Sequence, residues 1–390
     1  MRVLQPTDLI NELDSLRREA EYRPVRLEGS QLQASLLRTE QVGTIVEAFR
    51  RDGERGGDVE KNVRHYLAQP GTFECRFAIT GDKAPVAFLV QGRATGSIIQ
   101  VPLFRLANHS LAPTVGRHLL RSLIESASRI APLVKVTDTG ISEEARLALI
   151  ELGFVPSAEG WCKISVGPLA GAEGIKEAIR ECGLSDDVLS KIVSGLNDYA
   201  HEKSIIGAAQ LEKVFWPAKL VDAEIPTFIV PIQAQWAQHF FDSELGSELL
   251  FGLNNKLHLG IEGAYYCSKR NTLLQSPGRV LWYVSKGPEG KGSMMVKACS
   301  RIEEVFIGKP KEVFKKFNRL GVYHWRDILK TVGGNIDEPL LAFRFSMTER
   351  FVNPVELGTL ESFGIAPPIM SARRISPKQF SQVYRCGKTL

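Results

Sequence analysis

Six cysteines stand at 75, 162, 182, 267, 299 and 386, no two closer than twenty residues. Structural zinc and dithiol chemistry need close pairs, and a disulfide framework needs a short, dense chain. The spacing therefore predicts six separate, reduced thiols. Seven scattered histidines include no pair at metal-ligand spacing, so no metal is expected. What remains for chemistry is rings and cations. Glu262, Tyr265 and Tyr266 cluster in the C-terminal part, followed by the strand-like run Arg279-Val280-Leu281-Trp282-Tyr283-Val284-Ser285. Aromatic faces stack on nucleobases while a few fixed polar groups read a base edge. On an alternating strand Trp282 and Val284 face one way, Tyr283 and Ser285 the other, so only one pair can line a pocket. The polar-tipped pair, Tyr283 and Ser285, is the expected lining, and Trp282 is expected in the core.

Phosphates would be met by cations close by. A helix over Pro310–Leu320 sets Lys311, Lys315 and Arg319 on one face, with Val313, Phe314, Phe317 and Leu320 opposite. Arg373 and Arg374, followed by Lys378, form a second basic cluster. Charge is unevenly spread: residues 226–390 carry 22 Lys and Arg against 14 Asp and Glu, while the rest carries 27 against 30. A surplus of +8 on one segment points to an anionic partner, RNA or a nucleotide, although surplus charge also serves solubility.

These residues must be positioned by a chain of 390 residues, which predicts two or three domains. Hydrophobic residues make up 44% and charged residues 24%, an ordinary globular balance. No apolar run reaches eighteen residues, and the N-terminus lacks the layout of a signal peptide, so a cytoplasmic protein without a membrane span is expected. Four segments follow: a helix and connector over 1–30, an alternating helix and strand region over 31–166, a helical linker over 167–225, and an α+β region over 226–390. In the first, a helix covers Thr7–Tyr22. In the second, Thr39–Phe49 is helical and Arg51–Asp58 is a loop. Phe73–Thr80 and Pro85–Gln91 make a hairpin, and Ser97–Phe104 and Val134–Val136 are strands. Apolar residues at 115, 119, 120, 123, 124 and 127 predict an amphipathic helix over Thr114–Arg129. Ser142 caps a helix that Gly153 ends. The linker has an N-cap signal at Ser185-Asp186-Asp187 and a short element at Leu211–Trp216. In the last segment, strands are expected at Thr227–Ile232, Arg279–Val284, Ser293–Cys299 and Leu340–Phe345, a turn at Gly287–Gly292, and helices at Ala234–Phe241 and 310–320.

Residues 31–166 resemble the GNAT acyltransferase superfamily. The resemblance rests on Thr114-Val115-Gly116-Arg117-His118-Leu119-Leu120, then strand, helix, Leu152-Gly153-Phe154-Val155 and Trp161-Cys162-Lys163. In that family a Q/R-x-x-G-x-G/A loop opens the central helix and receives the pyrophosphate of coenzyme A on backbone amides. The resemblance implies a mixed sheet with helices, acetyl-CoA as cofactor, and Val115, Gly116 and Arg117 as its binding residues. Thr114 stands where the first glycine belongs and Leu111 where Gln or Arg belongs. Leu149 occupies the position of the tyrosine that many members use as general acid, so no catalytic residue is assigned. His118 is read as an ordinary residue of a helix face.

Residues 226–390 resemble the ASCH/EVE group of PUA-like domains, small β-barrels with helices that hold RNA or modified bases. The matching runs are Pro231–Ala237, Ile261–Tyr266 and Ser276–Ser285. The short signature G-x-K-x-x-E-x-R is incomplete: Glu262 fits its acidic position, while Tyr265 and Tyr266 stand near its basic one. The resemblance implies a base-binding or RNA-binding site built from Glu262, Tyr265, Tyr283 and Ser285, with Lys311, Lys315, Arg319, Arg373 and Arg374 on phosphates.

Together the readings imply a multidomain chain of mixed α/β and α+β class, in which a helical linker joins the two halves. Two functions remain open: an N-acetyltransferase acting on an RNA-linked or nucleobase amine, or a non-catalytic regulatory binder of nucleic acid or nucleotide, such as a toxin–antitoxin component with a protein partner. A hydrolase built on Glu262 and a lysine is a third.

Overall fold

The computed structural model describes residues 33–80, 83–128, 130–182, 204–240, 262–268, 273–286, 293–318, 320 and 323–388. The expected helix Thr7–Tyr22, the Ser185-Asp186-Asp187 cap, the Gly287–Gly292 turn and Arg319 lie outside these residues. The chain is a multidomain α+β protein with several sheets and, among the described residues, no closed barrel.

The first part runs β1 (Gln33–Leu36), α1 (Val42–Phe49), α2 (Gly56–Leu67), β2 (Phe73–Ile79), β3 (Pro85–Gly92), β4 (Ile98–Val101), β5 (Leu103–Leu106), α3 (Ala112–Ala127), β6 (Leu133–Val136), α4 (Glu143–Glu151), β7 (Val155–Ser157) and β8 (Gly160–Ile164). Helix α2 starts inside the stretch expected to be a loop. Gly56 and Gly57 depress helix propensity there, but Val63 on its inner face is buried and Asp58 sits in its first turn. The expected single strand at 97–104 is broken at Pro102, which has no N–H to give a ladder. Upstream of it β4 pairs in parallel with β6; downstream β5 pairs antiparallel with β3. One continuous stretch thus serves two four-stranded sheets, ordered β1-β2-β3-β5 and β4-β6-β8-β7, which part company at Pro102.

Helix α3 packs over this divide. Its expected apolar stripe is its buried face: Val115, Leu119, Leu120, Leu123 and Ile124 join one core with Phe104, Leu106, Val134 and Val136. Burying each such side chain contributes roughly 1.5–3 kcal/mol. Ser142 caps α4 as expected, its Oγ accepting from the Ala145 amide at 3.3 Å, and Gly153 follows with a positive φ of 78°.

A middle group contains β9 (Leu169–Ala170), α5 (Ala172–Glu181), α6 (Ile205–Val214) and β10 (Lys219–Leu220), with β9 and β10 parallel. The last part holds β11 (Thr227–Gln233), α7 (Ala234–Phe240), β12 (Gly263–Ser268), β13 (Gly278–Ser285), β14 (Met295–Gly308), α8 (Pro310–Phe317), α9 (Trp325–Thr331), β15 (Leu340–Glu356), α10 (Leu357–Ser362), β16 (Arg373–Ile375) and α11 (Pro377–Lys388). Its strands form one sheet, ordered β12-β15-β14-β13-β11-β16. Both faces are covered. Trp282 and Val284 enter the core shared with Phe240, Tyr265, Val313 and Phe317, while Leu281 and Tyr283 enter the core shared with Phe351, Phe380 and Tyr384.

The halves are joined through a bulge. On β15 two residues, Met347 and Thr348, stand opposite the single Ser300 of β14, and Met347 takes a φ of 53°. This sends Met347 into the core of the first part, beside Trp216. It also buries Glu349 completely, where the carboxylate accepts from Trp216 Nε1 at 2.9 Å, Lys219 Nζ at 2.5 Å and Tyr384 Oη at 2.5 Å. Burial alone would raise its pKa, yet Lys219 and Lys388 hold it at about 2.

Candidate functional site

Where two sheets part, the backbone of β5 loses its neighbour, and its polar groups need other partners. Four charged side chains fill the gap. Asp138 Oδ2 accepts from the Phe104 amide at 2.9 Å and from Arg105 Nε at 2.5 Å. Arg105 reaches on to Glu54 at 2.8 Å, and Arg51 donates to Leu106 O at 2.8 Å and Gly140 O at 3.2 Å. Arg105 and Asp138 are buried. The Arg105 hydrogen bonds hold the Glu54 carboxyl below its ordinary range. Two cations and two anions cancel, and the strand's open backbone groups are taken up by the protein itself. Nothing in the sequence spacing announces this quartet, because its members come from four separate stretches.

The residues expected to hold acetyl-CoA lie at the start of α3, but the helix opens at Ala112, two residues before the expected Thr114. Val115 is in the second turn and its amide already donates to Leu111 O at 2.9 Å. The Ala112 amide donates to His109 O at 2.9 Å, and Pro113 has none. A row of open amides for a pyrophosphate is therefore missing. Gly116 has a packing role: a Cβ there would stand 2.9 Å from Leu106 and 3.3 Å from Phe104. Arg117 bridges to Glu151 of α4 at 2.7 Å, half-buried His118 lies beside it in the helix, and Leu149 is fully buried. The residues present do not fit an acetyl-CoA cradle.

The C-terminal sheet offers a different environment. Tyr265 and Tyr283, expected to line one pocket, sit on opposite faces of the sheet. Tyr283 is buried in an aliphatic and aromatic core and Ser285 donates to Ile232 O at 3.3 Å, so neither joins Tyr265. The rings that do surround Tyr265 include Trp282, assigned to core by sequence, at 5.3 Å, and Tyr323 at 6.1 Å. Tyr323 lies 4.2 Å from half-buried Trp236 and 5.1 Å from Tyr266. Tyr265 donates to Pro231 O at 3.0 Å and Trp282 donates to Ser300 Oγ at 2.8 Å. The hydroxyls of Tyr266 and Tyr323 are buried with no hydrogen-bond partner among the described residues. Burial pushes the pKa of Tyr265, Tyr266 and Tyr323 upward, so all three stay protonated. Beside this cluster Glu262 pairs with Arg344 at 2.7 Å, both partly exposed. Tyr323 and Arg344 escaped the sequence reading, though the aromatic run Tyr323-His324-Trp325 was a visible signal.

Of the expected phosphate contacts, Lys311 and Lys315 are exposed on α8, which ends at Phe317. Arg319 lies outside the described residues. Arg373 is spent on the chain, donating to Ala366 O and, at 3.2 Å, to Pro368 O. Arg374 is exposed on β16. None of the six cysteines is in a disulfide among the described residues. Among the described residues no cluster of His, Cys, Asp and Glu could hold a metal, and no helix is long and apolar enough to cross a membrane.

No protein-family model matches the chain, and no curated protein matches it. Solved structures with partial similarity include proteins of two kinds. An ASCH protein from Zymomonas mobilis is 13% identical over 40% of this chain and 92% of its own, with a TM-score of 0.30. A putative GNAT-family acetyltransferase from Desulfovibrio desulfuricans is 19% identical over 33% of this chain and 87% of its own, with a TM-score of 0.27. The PaiA N-acetyltransferase of Thermoplasma acidophilum, solved with coenzyme A, is 9% identical over 34% of this chain and 96% of its own, with a TM-score of 0.28. Similarity to GNAT acetyltransferases and to ASCH proteins thus each covers a third to two fifths of the chain.

Proposed function

We propose that this chain binds a nucleobase, as a nucleotide or within single-stranded RNA, through the aromatic cluster around Tyr265, Tyr266 and Tyr323, and that its N-terminal half is a non-catalytic scaffold. One observation carries the reading: two tyrosine hydroxyls are buried among rings with no partner among the described residues. A buried polar group left unpaired costs about 1–3 kcal/mol. A base meets that need, offering a face to stack and an edge with donors and acceptors. The basic surplus of residues 226–390 and the exposed Lys311 and Lys315 support it, since each phosphate contact releases counterions.

The test is a tryptophan-fluorescence titration of the full-length protein with a short single-stranded oligoribonucleotide at low salt. Trp236 and Trp282 border the cluster, so saturable quenching is expected, weakened by about 1–3 kcal/mol in Tyr265→Ala if the ring stacks on a base. Absence of any saturable change would sink the reading. Acetyl transfer is the weaker alternative: it needs amides that α3 has already used, and saturable acetyl-CoA binding at millimolar concentration would revive it.

A further inference from the structure

A line of polar contacts ties the aromatic cluster to the N-terminal half. Trp282 packs edge-on against Tyr265 at 5.3 Å and stacks on Phe343 at 5.7 Å, and its Nε1 donates to Ser300 Oγ at 2.8 Å. Ser300 Oγ lies 2.9 Å from Thr348 Oγ1. The Thr348 carbonyl accepts at 2.8 Å from Nη2 of Arg121, which comes from α3. Thr348 belongs to the bulge in which it and Met347 face Ser300 alone, with Met347 at a φ of 53°. A bulge aims the side chains around it, so whatever grips its backbone sets where Thr348 and Ser300 point. Arg121 is a poor choice for stability. It is buried, its guanidinium lies 4.5 Å from the Trp216 ring, its Nη1 has no hydrogen-bond partner, and none of the described carboxylates is within ion-pair reach. Desolvating a cation without a counter-charge is costly, and an apolar side chain would close the junction at least as well. What Arg121 supplies is a fixed donor for one carbonyl.

We propose that Arg121 is a positioning residue for the base site: by holding the Thr348 carbonyl it fixes Ser300, the indole of Trp282 and, through that ring, Tyr265. This rests on the base-binding reading of the cluster and gives the N-terminal scaffold a defined task, the orientation of rings it does not contain. The indole N–H meets Ser300 in one orientation of the Trp282 ring, and the edge-to-face packing of Tyr265 follows that orientation. Substitutions along the line therefore alter the site from outside it.

The experiment is nuclear magnetic resonance of the full-length protein, isotope-labelled at the indole nitrogens of its five tryptophans, paired with oligoribonucleotide titration. Trp282→Phe identifies the Trp282 signal. Thr348→Val keeps the shape of the side chain and removes the hydroxyl, Thr348→Ser keeps the hydroxyl, and Arg121→Met takes the donor from the carbonyl. Thermal scans verify that each variant folds. The Trp282 resonance is expected to move in Thr348→Val and Arg121→Met and to return in Thr348→Ser. Oligoribonucleotide affinity is expected to fall by about threefold to tenfold in the first two, the worth of one hydrogen bond, and to recover in the third. A Trp282 resonance that stays in place, or a change confined to Trp216, whose ring Arg121 touches, overturns the proposal. So does a displaced resonance with wild-type affinity in both variants. A wild-type protein that binds no oligoribonucleotide removes the site itself and the proposal with it, and the Trp282 resonance tells that failure apart from a failure of the relay.

Discussion

The gap between the N-terminal sheets and the aromatic cluster of the C-terminal sheet are both places where secondary structure leaves polar groups without neighbours. They are handled in opposite ways. At the gap, Arg51, Glu54, Arg105 and Asp138 balance one another and absorb the open backbone of β5. At the cluster, Tyr266 and Tyr323 keep hydroxyls that nothing described satisfies. A region that completes its own hydrogen bonds has little to offer a ligand; one that does not is poised for a partner. The first region closes its own hydrogen bonds, and the second leaves two buried hydroxyls without a partner among the described residues.

The largest effect separating the two is expected at the gap. Arg105→Met leaves buried Asp138 without its ion-pair partner and should cost about 3–5 kcal/mol in urea denaturation. A loss below about 1 kcal/mol would mean that water, not Arg105, satisfies this site. Elsewhere in the N-terminal part, Lys163 departs from that compensation. Lys163 is completely buried, its Nζ donates to Val214 O, and burial pushes its pKa down to about 7. The unfolded lysine titrates near 10.5, so between those values the unfolded chain binds more protons and stability rises with pH. Lys163→Met should gain roughly 2–4 kcal/mol at pH 7 and remove that rise. Equal pH slopes in both proteins would refute the assignment.

At the aromatic cluster the sign reverses. Tyr323→Phe removes a hydroxyl that has no partner among the described residues and should stabilise the free protein by about 0.5–1 kcal/mol, while weakening nucleotide binding by a similar amount. A thermal scan and a binding titration on the same variant read both halves of this expectation, and a loss of stability would mean the hydroxyl already has a partner. The smallest effect belongs to α8. Replacing Lys311 and Lys315 by alanine should flatten the log–log salt dependence of RNA binding by roughly 1.4 if both touch phosphate. An unchanged slope makes them a solvated face.

Local pattern was legible; pairing across distance was not. The stripe from Val115 to Ala127 declared α3, and Ser142 and Gly153 declared the ends of α4. Alternation correctly put Trp282 and Tyr283 on opposite faces, and Trp282 is core as expected, but what each face meets was not legible. Polar tips suggested Tyr283, whereas the rings that surround Trp282 come from α7, β12 and β15, distant in the chain. The second half of β15 was hidden because Thr348, Glu349 and Arg350 break the apolar rhythm, and only the junction explains why a glutamate is buried there. Gly116 was named as a cofactor contact by its place in the family's loop, and only the fold shows that Leu106 and Phe104 stand against it.

The most direct test of the contrast is calorimetry of one full-length preparation, titrated side by side with acetyl-CoA and with a short single-stranded oligoribonucleotide. Saturable heat is expected with the oligoribonucleotide and none with acetyl-CoA at millimolar concentration. Saturable acetyl-CoA binding with no response to the oligoribonucleotide would contradict it, returning function to the half of the molecule described here as closed.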